Sequence, residues 1–195
     1  TTKVMSNYLN LNNGRLIYIS TDSVFDGKKQ QPYTESDQVS PLNAYAKTKL
    51  MGESLVQLMS NGLILRTNII GRTQKNSISF AEWILKGLTN NDPLNLFFDV
   101  NFSPLHVNDL SLIIEKIINN PICGLYHCAS SDSISKYDFG KKMARVFQLS
   151  DSKINRVSID DMKFMTSRPK NMALNIKKIC TDLDYDFPTA IDAIK

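Results

Sequence analysis

Apolar positions along the chain alternate between continuous runs and a helical rhythm. Three short runs stand out: RLIYIS at 15–20, LILRT at 63–67 and GLYHCAS at 124–130. Runs of this length suit strands covered on both faces in a parallel sheet. NLFF at 95–98 is a further short strand candidate. Between the runs, apolar residues recur every three or four positions. VMSNYLNL reads as the end of a helix stopped by NNG, and residues 42–60, LNAYAKTKLMGESLVQLMS, as a helix stopped by another Asn-Gly pair. Residues 77–89 are expected to be helical, with Ile78, Ala81, Ile84, Leu85 and Leu88 on one face. VNDLSLIIEKIIN at 107–119 is a strongly amphipathic helix with Asn108 or Asp109 placed to cap it. KYDFGKKMARVFQL and a short segment near 175–183 complete the helices.

Strand and helix alternate over short connections, which predicts an α/β fold built on a parallel sheet. In such sheets ligands sit outside the carboxyl ends of the strands. Two of those ends, STDSVFDG at 20–27 and RTNIIG at 66–71, carry hydroxyl, carboxylate and amide groups where a plain turn would suffice.

Composition narrows the options only a little. The chain has 195 residues, 42% hydrophobic and 22% charged, enough for one sizeable core or two small interleaved ones. No apolar run approaches the roughly 20 residues of a membrane span. The net charge of +4 is scattered, so a nucleic-acid partner is not expected, although a phosphate-bearing small ligand is compatible. Cys123, Cys128 and Cys180 match neither a disulfide framework nor a zinc spacing; Cys123 and Cys128 are expected to be small core residues. No signal peptide is visible, which points to a reducing cytoplasm. Asp160 and Asp161 lack a third ligand at a useful spacing, so no metal is expected. His127, among apolar neighbours, reads as a core residue, and His106 as structural.

Tyr45 and Lys49 lie four residues apart in the helix at 42–60, which puts them on one face. A free tyrosine titrates near 10 and is a poor proton shuttle at neutral pH. A neighbouring ammonium favours the phenolate, and a fall of two to three units represents about 3–4 kcal/mol of bias. A phenol so tuned can act as general acid toward a carbonyl, and Thr21 at a strand end can hydrogen-bond the same oxygen. Taken alone, the Tyr-Lys spacing is a weak signal and almost always describes a solvent-facing pair.

Read together, STDSVFDG, PYTESDQVSPLNAYAKTKLMGE, LILRTNIIG, FSPLHVNDL and RPKNMALNIKK resemble the extended short-chain dehydrogenase/reductase family, and within it the dTDP-4-dehydrorhamnose reductases. The resemblance runs from about Arg15 to Ile194. It implies a Rossmann-like parallel sheet, incomplete at the N-terminus, with an interleaved smaller substrate-binding subdomain. Residues 1–75 would be the later part of the dinucleotide-binding domain, and residues 76–195 mainly the substrate unit, with about 104–130 returning to the Rossmann sheet.

The resemblance implies an NADPH- or NADH-dependent reduction of a 4-keto nucleotide sugar, in deoxysugar or polysaccharide biosynthesis. Thr21, Tyr45 and Lys49 would form the catalytic triad. Tyr45 would protonate the ketone oxygen, Lys49 would hold the nicotinamide ribose, and Asn68 would approach the nicotinamide. Val24 and Phe25 would line the sugar pocket, and Arg168 would pair with the diphosphate. A homodimer through the helix of Tyr45, using Leu50, Leu55 and Leu58, is a further expectation; those leucines equally suit an ordinary core.

Ser23 stands where the related 4,6-dehydratases carry the glutamate base, so dehydration is disfavoured. Epimerases rank behind because Phe-Asp-Gly follows at 25–27. The NII at 68–70 lacks the aromatic often seen in rhamnose reductases, which leaves the identity of the sugar open. A different class of reading is a non-catalytic binding subunit, since the regulatory β subunit of methionine adenosyltransferase resembles the same reductases. The family's Gly-rich dinucleotide turn cannot be drawn among the eight glycines, and the first strand found already carries Thr21. The expectation is a reductase without its N-terminal strands, binding cofactor weakly as an isolated piece and exposing one flank of its sheet.

Overall fold

The computed structural model describes residues 1–73, 78–162 and 168–194. Helix α1 (Thr2–Leu11) leads into strand β1 (Leu16–Thr21), a 3-10 turn (Asp22–Val24) and helix α2 (Ala44–Val56). Strands β2 (Gly62–Thr67) and β3 (Ile69–Ile70) precede helix α3 (Phe80–Asn90). Strands β4 (Leu94–Phe97), β5 (Asn101–Phe102) and β6 (Leu105–His106) precede helix α4 (Val107–Asn119). The chain continues through β7 (Gly124–His127), β8 (Ile134–Ser135), α5 (Lys136–Val146), β9 (Ile154–Val157), a 3-10 turn (Ile159–Asp161), β10 (Asn171–Met172) and α6 (Lys177–Leu183).

The three apolar runs pair in parallel in the order β1-β2-β7, with Leu16 opposite Gly62 and Leu63 opposite Gly124. Central β2 is buried at every residue, whereas β1, paired on one side among the described residues, is buried only at Ser20 and Thr21. Smaller pieces lie apart from this sheet: β10-β5-β8, the pair β4-β9 and the pair β3-β6.

Two apolar clusters correspond to these layers. The first joins Val24, Phe25, Leu63 and Leu65 to Ile113 and Ile117 of α4 and Ile179 of α6. Each such fully buried side chain contributes roughly 1.5–3 kcal/mol. The second joins Ile84, Leu96, Phe102, Phe139 and Met143. Residues 174–187, assigned from sequence to the smaller unit, thus supply part of the first cluster as well.

Helix α2 sits unusually close to β1. Gly52 makes this possible, because a Cβ there would overlap the Tyr18 ring and hydroxyl. The Tyr18 hydroxyl donates to the Lys49 carbonyl at 3.2 Å, tying helix to strand. Asn43 caps the helix by accepting from the Ala46 amide at 2.9 Å, so α2 begins two residues later than its apolar pattern suggests.

Three sequence expectations need correction. His106, rather than Asn108 or Asp109, caps α4: its extended backbone comes from β6, and its Nδ1 accepts from the Asn108 amide at 3.3 Å. Cys123 is exposed, because it precedes β7 instead of pointing into it, while Cys128 is buried in the first cluster. Helix α3 starts at Phe80, where Ser79 and Glu82 form a reciprocal capping box, and Ile78 lies outside it and exposed. Position 77 of that expectation lies outside the described residues.

Candidate active site

The carboxyl end of β1 turns at once into a 3-10 turn, and that turn organises the site. Thr21 caps it: its hydroxyl accepts from the Ser23 amide at 3.2 Å and donates to Asp22 Oδ1 at 3.1 Å. Asp22 is buried and also accepts from Ser23 Oγ at 3.2 Å and from Asn68 Nδ2, beyond the end of β2. Burial pushes the Asp22 carboxyl up, while the Asn68 hydrogen bond and the charge of Lys136 pull it back.

Helix α2 presents Tyr45, Lys49 and Glu53 at successive four-residue steps toward this strand end. Lys49 Nζ donates to the Ile19 carbonyl and lies 4.4 Å from the centroid of the Tyr18 ring. Burial lowers the Lys49 pKa, and the Glu53 carboxylate opposes that fall. Beneath it, Glu53 and Arg66 form a buried ion pair, Nη2 to Oε2 at 2.7 Å and Nε to Oε1 at 3.0 Å, with Ser20 Oγ donating to the same carboxylate. The spacing from Lys49 was the sequence signal for Glu53.

Two cavities meet here. One, of about 310 Å³, is lined by Ile19, Thr21, Asp22, Lys49 and Thr67 among others. The other, of about 670 Å³, is lined by Phe80, Phe97, Lys136, Ile159 and Arg168 among others. Ser23, Tyr45 and Asn68 line both. Tyr45 is 59% exposed and stands at the junction. The hydroxyl of Thr67, buried in the wall of the smaller cavity, has no hydrogen-bond partner among the described residues.

The structure therefore brings Thr21, Tyr45, Lys49 and Asn68 to one cavity, and Arg168 to the adjoining one. Val24 and Phe25 do not line the pocket expected of them. Both are fully buried, with Phe25 stacked on Tyr33 at 4.0 Å and under the Arg66 guanidinium at 5.1 Å. The 3-10 turn swings them inward and leaves Ser23 facing the cavities.

Sequence reasoning missed Lys136. It is the first residue of α5, and a cation at a helix N-terminus opposes the macrodipole, which was the available signal. Ser135 caps that helix by accepting from the Asp138 amide at 2.9 Å, so Lys136 is held at the cavity wall.

A probable low-salt glycan biosynthesis reductase of Haloferax volcanii is 27% identical over 180 residues, 90% of this chain and 60% of that protein. Methionine adenosyltransferase 2 subunit beta of Rattus norvegicus is 33% identical over 176 residues, 85% of this chain and 52% of that protein. The crystal structure of dTDP-4-dehydrorhamnose reductase from Bacillus anthracis, in complex with NADP, superposes with a TM-score of 0.89 at 25% identity, over 99% of this chain and 68% of that one. The chain thus spans between half and two thirds of these curated relatives. With the RmlD substrate binding domain matching residues 1–195, and with these relatives on the same parallel-sheet fold, the chain belongs to the RmlD substrate binding domain family of dTDP-4-dehydrorhamnose reductase-like proteins.

Proposed function

We propose that the protein carries out NAD(P)H-dependent reduction of a 4-keto nucleotide sugar in deoxysugar or polysaccharide biosynthesis. The observation that carries this reading is the placement of Tyr45, Ser23 and Asn68 in the walls of both cavities. A phenol at such a junction reaches a carbonyl in one cavity while a hydride donor occupies the other.

The residues present fit a nicotinamide cofactor in the smaller cavity. The unpartnered Thr67 hydroxyl offers a hydrogen bond there, and the partly desolvated Lys49 ammonium gains from further acceptors such as ribose hydroxyls. When bound, the nicotinamide would supply the hydride. Tyr45 gives the proton at its hydroxyl to the ketone oxygen, and Lys49 holds that phenol and the ribose in place. Thr21 already donates its hydrogen to Asp22, so it acts with Asp22, Asn68 and Ser23 as one network that positions the substrate oxygen. Arg168 in the larger cavity pairs with the diphosphate.

The test is oxidation of NADPH followed by absorbance with a dTDP-4-keto-6-deoxy sugar. Tyr45→Phe is expected to lower kcat by about 10²–10⁴ with no loss of thermal stability, since the side chain is largely exposed. Unchanged turnover in that variant sinks the assignment. A second reading, a non-catalytic subunit, is favoured by the 33% identity to methionine adenosyltransferase 2 subunit beta. NADPH binding by the wild type without turnover on any 4-keto sugar nucleotide would select it.

A further inference from the structure

The geometry points to Lys136 as a ligand-contacting residue: its ammonium seats an anionic phosphoryl group in the larger cavity. Lys136 Nζ lies 3.3 Å from the centroid of the Phe102 ring and 4.1 Å from that of Phe80. The ammonium lies over these two ring faces, and among the described residues none of its three N–H donors has a hydrogen-bond acceptor. An ammonium placed this way is unfavourable in three respects. It is partly withdrawn from water, it heads a helix whose dipole repels it, and Arg168 adds like charge. Two aromatic faces and the field of the Asp22 carboxylate offset part of this. The missing component is an anion in the cavity that Lys136 and Arg168 both line.

The chemistry of the wall selects the class. Phe80 and Phe97 line the cavity with aromatic surface, and Lys136 supplies cationic donors beside the positive charge of Arg168. That combination suits a ligand that joins a phosphoryl group to a planar or apolar one. Identifying this group with the substrate's diphosphate rests on the reductase reading above; the seat itself does not.

Charge state governs the seat. Burial pushes the Lys136 pKa down to about 7, with Asp22 opposing and Arg168 reinforcing. The titratable and charged groups around it are Asp22 from the turn after β1, Tyr45 from α2 and Arg168 from the segment before β10. An anion bound against the ammonium raises its pKa again, so affinity and protonation are linked. Below pH 7 the ammonium is present and contributes fully; above it, the contribution fades.

The experiment is calorimetric titration of the chain with inorganic pyrophosphate at pH 6 and pH 8.5, at fixed ionic strength, for wild type, Lys136→Met and Lys136→Arg. Comparing proteins at each pH cancels the titration of pyrophosphate itself. If the anion raises the ammonium pKa by about one unit, wild type binds about tenfold tighter than Lys136→Met at pH 6 and within about twofold at pH 8.5. Lys136→Arg keeps its advantage over Lys136→Met at both pH values, because a guanidinium does not titrate there. Thermal unfolding checks that Lys136→Met is folded before its affinity is compared. Equal affinity of wild type and Lys136→Met at pH 6, or no binding by wild type, overturns the proposal. Reductase activity with equal pyrophosphate binding leaves the reductase reading standing and removes the seat; a Lys136-dependent seat without reductase activity does the reverse.

Discussion

Acidification should destabilise this protein through one histidine. His127 ends β7 fully buried, with Nδ1 3.1 Å from the Tyr33 carbonyl and its ring edge-on to Phe25 at 5.6 Å. The Tyr33 carbonyl can only accept, so Nδ1 carries the hydrogen of the neutral ring. Burial, reinforced by the Arg66 charge, lowers the pKa from 6.5 to about 3. The unfolded chain therefore binds a proton between pH 6.5 and 3 that the folded chain refuses, and stability falls as pH drops through that window. The loss is about 2 kcal/mol at pH 5 relative to pH 8, rising to roughly 4–5 kcal/mol below pH 3. His127→Gln keeps a donor for the Tyr33 carbonyl and cannot titrate. Urea unfolding of both proteins at pH 8 and pH 5 isolates the histidine: the wild type should lose about 2 kcal/mol more than the variant. Parallel losses would show that His127 is not held neutral by the fold.

Two further outcomes test how the site is supported. Glu53→Ala leaves the Arg66 guanidinium buried without its partner and should cost about 3–5 kcal/mol in urea unfolding, whereas exchanging both residues for apolar ones should recover most of it. Gly52→Ala drives a methyl group into Tyr18 and should cost about 1–3 kcal/mol by the same assay, with an added loss of kcat because the strain moves Lys49 against β1.

The legible parts of the chain were those whose chemistry is local. Strands β1, β2 and β7 announced themselves as continuous apolar runs because a central parallel sheet has no wet face. Tyr45 and Lys49 were legible because a helix brings four-residue neighbours together. The two-residue strands β3, β5, β6, β8 and β10 carry no period to read. Asp22 meets Asn68 across 46 positions, and Lys136 reaches the same region from the far side of α5's cap, so neither partnership leaves a local trace. Val24 and Phe25 misled for the opposite reason. Ser23 just before them faces the cavities, but the chain buries Val24 and Phe25 together as it leaves the turn.

Tyr45 remains more than half open to solvent while standing in the shared wall of two hollows. Filling either hollow alone leaves a route for water to the phenol. If the reductase reading holds, joint occupancy is what withdraws the phenol from water, and proton delivery becomes conditional on both guests.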